Sequence, residues 1–196
     1  MEKEIKVFPK FAIKFLSESF PKDRRIEMLK FWFEEFLNKK LMPKYEGGVF
    51  GNLSFRLKDN KDEFIITASG MKEPSSADSF IKVSLVDLKK KEVYAHGKNP
   101  PSSESMFHFM IYKKRQDINA IFHGHCEEML KNCNKLKLPC TEKEEPYGTI
   151  ELANGILEVL DNHSFLIIKN HGFISLGKDM DSAGNQAIDY LLKTFA

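Results

Sequence analysis

No apolar run in this sequence approaches the ~18 residues that a bilayer-spanning helix needs, and the opening Met1-Glu2-Lys3-Glu4 is too acidic for a secretion signal. Charge of one sign is lacking too. Thirty Lys plus Arg face 28 Asp plus Glu, a net +2, which gives no broad field for nucleic acid or a membrane surface, so neither is expected as a partner. An anionic ligand has to be held locally. Cysteine is scarce, three in all and with no Cys-x-x-Cys pair, which excludes a disulfide framework and a thiolate zinc motif. The expected compartment is the cytoplasm. Cys126, Cys133 and Cys140 fall at intervals of seven. A helix over 126–134 would bring the first two to one face, Pro139 keeps the third off it, and the thiols read as small half-buried residues.

What is present describes a folded chain. Hydrophobic residues make up 42%, and the aromatic 12% is mostly 17 Phe, enough for 196 residues to bury roughly 70% of the surface the unfolded chain exposes. No repeat or long linker divides it. The expected organisation is an arm over 1–22, ended by Pro21, and one domain over 23–196. Ile26, Leu29, Phe33, Phe36 and Leu37 recur at helical spacing, which predicts an amphipathic helix over 25–40 with Asp23 as its N-cap and Trp32 in its core or contact stripe. Short β-type runs follow over 52–57, 63–67 and 80–86, separated by Asp59-Asn60 and Pro74-Ser75-Ser76. The pattern then predicts a helix over 103–115, a strand over 118–124 and helices over 126–134 and 149–160. Strands over 165–169 and 173–176 come next, and Asp179 caps a last helix to Phe195. Strands that first pair locally and later alternate with helices predict an α/β fold, a mixed sheet covered on both faces.

Three histidines leave the ends of apolar strands: His123 and His125 around Gly124, and His171 before Gly172. Side chains two apart on a strand share a side, so His123 and His125 either reach one cation or stand as two polar residues at a strand mouth. With a carboxylate, three imidazoles form a donor set for zinc or a similar divalent ion. Glu104 is that carboxylate. It stands in Pro101-Ser102-Ser103-Glu104 before an apolar helical stretch and is expected in the first turn of that helix, where amide groups favour an anion. Gly51-Asn52-Leu53-Ser54 and Thr67-Ala68-Ser69-Gly70 are further small, polar turns able to point donors at phosphate oxygens. His108 is expected to pack, and His96 and His163 to sit in exposed turns.

Taken in order, Gly51-Asn52-x-Ser54-x-Arg56, Thr67-x-Ser69-Gly70, Pro101-Ser102-Ser103-Glu104, His123-x-His125, Tyr147-Gly148-Thr149 and His171-Gly172 resemble the class II aldolase/adducin family over about residues 25–195. The resemblance implies a three-layer α/β/α fold with a mixed, largely antiparallel sheet. It also implies a divalent metal, most often zinc, on His123, His125 and His171, with Glu104 as fourth ligand and catalytic acid/base. Asn52, Ser69, Gly70, Ser102 and Ser103 would hold a substrate phosphate. The implied activity is retro-aldol cleavage of a ketose 1-phosphate, a phosphorylated sugar, to dihydroxyacetone phosphate and an aldehyde through a metal-stabilised enediolate. The implied assembly is a homotetramer with sites between subunits.

The chain departs from that pattern in three places. The segment between His125 and Tyr147 is short and offers no clear counterpart of the family's tyrosine proton donor, the sequence ends at Ala196 without the tail that helps close the site, and Glu46–Phe50 carries an extra pair of residues. Alternatives therefore remain: a dehydratase of the methylthioribulose-phosphate type, a 4-epimerase, disfavoured by Glu104 where those enzymes carry Asp, or a non-catalytic adducin-like interaction module.

Overall fold

The runs at 64–66, 120–122 and 165–168 are unbroken and apolar because they lie in strands buried on both faces of the sheet. The computed structural model describes residues 9–57, 62–74 and 76–195. The strands are β1 (Ala12–Ser17), β2 (Lys44–Tyr45), β3 (Gly48–Val49), β4 (Asn52–Arg56), β5 (Phe64–Thr67), β6 (Phe80–Asp87), β7 (Glu92–His96), β8 (Ala120–Gly124), β9 (Phe165–Ile168) and β10 (Gly172–Gly177). The helices are α1 (Ile26–Asn38), α2 (Ser105–Lys114), α3 (Glu127–Lys131), α4 (Ile150–Leu160) and α5 (Met180–Phe195). Eight strands form one sheet in the order β1-β7-β6-β5-β4-β8-β10-β9. Only β1–β7 is parallel; the other pairings are antiparallel. β2 and β3 form a separate two-stranded hairpin.

Period-two alternation sorts the strand residues between two cores. Ile66, Ile121, Leu166 and Ile174 join the cluster under α2 and α4, while Ile65, Phe122, Phe165 and Phe173 join the cluster under α1, α3 and α5. Each fully buried Phe or Leu in these layers contributes about 1.5–3 kcal/mol through area removed from water. The expected mixed sheet with helices on both faces is present.

Several local expectations shift. Helix α1 buries Leu29, Trp32, Phe33 and Phe36, but Arg25 occupies its N-cap position. Asp23 instead accepts from the Arg25 backbone N–H at 2.9 Å and pairs with the Arg25 guanidinium at 2.8 Å. Trp32 is core: its indole N–H donates to Asp181 at 2.9 Å, and a Cβ at Gly184 would come within 2.2 Å of its ring. The expected helix over 126–134 is cut to α3, with Cys126 at its N-cap and Cys133 beyond its end. The first two cysteines therefore share no helix face, and all three thiols are free and half-buried. Residues 12–17, set apart as an arm from sequence, form the edge strand β1. His96 ends strand β7 rather than sitting in an exposed turn, and its Nδ1 lies 3.0 Å from the Ser17 hydroxyl. The Asp59-Asn60 turn and Ser75 lie outside the described residues.

Candidate metal centre

Strand β8 runs in the middle of the sheet, and its register sets His123 opposite Asn52 of β4 and Ile174 of β10. His125 follows directly, anchored by its N–H donating to the Leu41 carbonyl at 2.7 Å. The β9–β10 turn delivers His171. Asn170 takes a left-handed φ of 54°, which Asn tolerates better than most residues, and the His171 N–H closes the turn onto the Ile168 carbonyl at 3.1 Å. Gly172 lets β10 pass close to β8, because a Cβ there would meet the Gly124 carbonyl oxygen at 2.4 Å and His123 Cε1 at 2.9 Å.

Glu104 arrives from the opposite side. It occupies the N-cap position of α2, one residue before the helix, and not the first turn as expected. Its side chain makes no capping bond. Oε2 lies 3.1 Å from His123 Nε2, and Oε1 lies 3.2 Å from His171 Nε2. The imidazole rings of His123, His125 and His171 stand 4.8–5.1 Å apart, centre to centre, and one ligand atom from each falls within 4.8 Å of the others.

The polarity of these atoms decides what fits between them. His123 Nδ1 sits 2.8 Å from the Phe173 carbonyl oxygen, which can only accept, so Nδ1 carries the proton and Nε2 of the neutral ring is a bare lone pair. That lone pair faces His125 Nε2 at 3.1 Å and the Glu104 carboxylate. Glu104 Oε1 is buried without a hydrogen bond despite the nearby His171 ring. Acceptors aimed at acceptors are unfavourable unless a cation lies between them. The four side chains therefore fit a divalent metal, as three nitrogens and one oxygen with room for exchangeable ligands.

The pKa values of Glu104, His125 and His171 shift in different directions. Burial alone would raise the Glu104 pKa, but the imidazoles of His123 and His171 outweigh it and hold the carboxyl well below the usual range. Burial pulls His125 down to about 2, with His123 and His171 adding to the effect, so this ring stays neutral and able to donate its lone pair. His171 moves the other way: burial lowers it, and the negative charge of Glu104 more than compensates.

A cavity of about 410 Å³ opens onto this cluster. Asn52, Ser69, Gly70, Ser102, Ser103, Glu104, His125 and His171 all line it, whereas His123 is fully buried behind them. The N-terminal end of α2 points into the serine-rich side, where its dipole favours an anion. Glu144, Glu145, Tyr45 and Tyr147 also line the cavity. The extra residues of Glu46–Phe50 fall on the β2–β3 hairpin and just beyond it, and the Phe50 ring lies against His125 at 5.4 Å. Asn52 is placed differently from a free phosphate donor. Its Nδ2 donates to Glu104 Oε2 at 2.8 Å and its Oδ1 meets His108 Nε2 at 2.6 Å, so both ends of the amide are engaged within the protein.

The family model described as Class II Aldolase and Adducin N-terminal domain matches residues 40–191. The chain belongs to the class II aldolase and adducin family. Among relatives of this class II aldolase-family chain, an L-fuculose phosphate aldolase of Methanococcus maripaludis is 31% identical over 156 residues, covering 71% of this chain and 79% of the relative. A 3-oxo-tetronate 4-phosphate decarboxylase of Haemophilus influenzae is 28% identical over 167 residues, covering 72% and 73%. The solved sugar-phosphate aldolase of Thermotoga maritima superposes with a TM-score of 0.72 at 20% identity, over 87% of this chain and 91% of that one, which is a likeness of fold.

Residues outside the expected ligand and phosphate sets also belong to the centre's surroundings. Ser54 and Arg56 on β4 and Tyr112 on α2 are buried. The Arg56 guanidinium donates to the Tyr112, Arg115 and Ile118 carbonyls at 2.7–3.0 Å, placing a cation at the C-terminal end of α2. Their signal was the alternation in Asn52-x-Ser54-x-Arg56, a polar face that the sheet turns inward.

Proposed function

We propose that the chain is a metal-dependent aldolase-type lyase that cleaves a ketose 1-phosphate into dihydroxyacetone phosphate and an aldehyde. The observation that carries this reading is the cluster of ligand atoms of His123, His125, His171 and Glu104, gathered at the wall of a cavity with a serine-rich helix N-terminus. The imidazoles and Glu104 would hold the cation, most often zinc. When bound, it supplies Lewis-acid stabilisation of negative charge at the substrate carbonyl.

The chain's own residues do the rest. Ser69, Gly70, Ser102 and Ser103, with the α2 N-terminus, bind the phosphate and so fix which carbon faces Glu104. Glu104, held ionised, takes up the proton that the hydroxyl of the departing aldehyde gives up as the carbon–carbon bond breaks and delivers it to the carbon left behind; in the reverse direction it takes that proton away. Burial of the cluster keeps bulk water from that carbon. The named relative that acts as an aldolase on a fuculose phosphate supports the reading. The decarboxylase relative marks the reaction class as the point to test. We also propose the homotetramer, cytoplasmic and working with sites between subunits. Phe31, Leu192 and Phe195, 50%, 63% and 71% exposed on α1 and α5, support further association.

The test is the zinc-loaded protein with a panel of ketose 1-phosphates and their pentulose analogues, assayed separately for dihydroxyacetone phosphate, for loss of water and for epimerisation. Release of dihydroxyacetone phosphate is expected. Dehydration without cleavage would transfer the assignment to a dehydratase, and failure to bind metal or substrate would leave the adducin-like interaction module.

A further inference from the structure

We propose that His108 is a positioning residue for Glu104, acting through the Asn52 amide as part of a buried, one-directional chain of hydrogen bonds that starts at Tyr112. The inference deepens the proposed function and rests on it only for the role of Glu104; the hydrogen-bond chain stands on geometry alone.

The direction of the chain follows from the one member that can only accept. Glu104 Oε2 lies 2.8 Å from the Asn52 amide, so the NH2 end must face it. The carbonyl end, Asn52 Oδ1, then faces His108 Nε2 at 2.6 Å and requires a proton there. With Nε2 protonated, Nδ1 of the neutral ring is an acceptor, and the Ser54 hydroxyl, 2.7 Å away, donates to it. Ser54 Oγ in turn accepts from the Tyr112 hydroxyl at 2.8 Å. Every donor points toward the carboxylate. Ser54, His108 and Tyr112 have no exposed surface, and Asn52 is 3% exposed, so water does not interrupt the series.

Packing fixes the ring plane. His108 stacks on Phe107 at 4.6 Å and 23°, with Phe64 on a near-parallel plane at 6.4 Å and 18°. A flipped Asn52 amide would set its carbonyl against the carboxylate and its NH2 against the His108 N–H, two repulsive contacts in a dry interior. The tautomer of His108 thus keeps the amide in one orientation. The amide in turn holds Oε2 and leaves Oε1 toward His171, without a hydrogen bond of its own. A histidine whose only task was to fill space would need neither nitrogen.

Two variants separate the readings. His108→Gln keeps a donor and an acceptor, whereas His108→Phe keeps the volume and the stacking and removes both. For the zinc-loaded protein, we expect His108→Phe to lower kcat by about 10–100-fold with KM changed less than about threefold, and to weaken zinc in a chelator competition by about tenfold. His108→Gln should restore most of both. Long-range 1H–15N correlation on the wild type should find His108 protonated at Nε2 and bare at Nδ1, a measurement that needs no variant to fold. A proton on Nδ1, or a Phe variant equal to wild type with the Gln variant the poorer, would overturn the proposal. If the wild type cleaves no ketose 1-phosphate, the functional reading fails, while the tautomer and the zinc competition still decide the role of His108.

Discussion

Glu104 stands where a helix commonly carries a capping Ser, Thr or Asp, yet its carboxylate turns away from the α2 amides and toward the imidazoles of His123 and His171. In the proposed reaction that geometry gives it two tasks, to help hold the metal and to stand as the group nearest a reacting carbon. Glu104→Gln should therefore lower kcat by about 10²–10⁴-fold, the range for loss of an acid/base group, while circular dichroism stays that of wild type. Retained turnover would remove Glu104 from the chemistry. At this scale, the residue types and their order along the chain made the histidine cluster legible, since His-x-His and His-Gly at strand ends place side chains by simple alternation. The amide of Asn52 was not legible as a bond to Glu104. It depends on the β4–β8 register and on His108 above it, contacts that join residues 52–56 positions apart.

Among the elements, the helices with strong apolar spacing, α1, α4 and α5, were found within one or two residues at each end. Strand β1 was missed because Ala12, Ile13, Phe15 and Leu16 do not alternate with polar residues, and five of its six residues are exposed, so the half-buried strand pattern is absent. The short α3 was overextended because Leu130, Cys133 and Leu136 continue an apolar rhythm that the chain satisfies with turns. Helix α5 carries two tests. Gly184 lies against Trp32, whose ring is held by Asp181, so Gly184→Ala should cost about 1–3 kcal/mol by overpacking and lower Tm. An unchanged Tm would show that α1 and α5 can part freely. At the start of the same helix, Asp179 accepts from the Ser182 N–H at 2.7 Å, and the Ser182 hydroxyl and amide hold its pKa below the ordinary 3.8. Because the folded value is the lower one, the stabilisation is present above about pH 4 and is lost as pH falls through it. Asp179→Ala should cost about 1 kcal/mol near neutral pH, with the difference in urea midpoints shrinking toward pH 3. A difference independent of pH would assign the effect to something other than the cap.

For the molecule as a whole, two cores on either side of one sheet make the centre a meeting point of β4, β8, the β9–β10 turn and α2. Such convergence is invisible to local pattern, and it became legible only because six short motifs occur in one order. Assembly belongs to this scale as well. Sedimentation equilibrium is expected to return a tetramer, with the apolar faces of α1 and α5 covered; a monomer at all concentrations would contradict the assembly reading and confine the active site to residues of one chain. The central claim is that three imidazoles and one carboxylate gather a single divalent cation. X-ray absorption at the zinc edge of the purified, zinc-loaded protein tests it most directly. The account predicts one zinc per chain, with nitrogen and oxygen neighbours at about 2.0–2.2 Å and no sulfur. A sulfur shell near ~2.3 Å, which would put the metal on the cysteines, or no bound zinc at all, would contradict it.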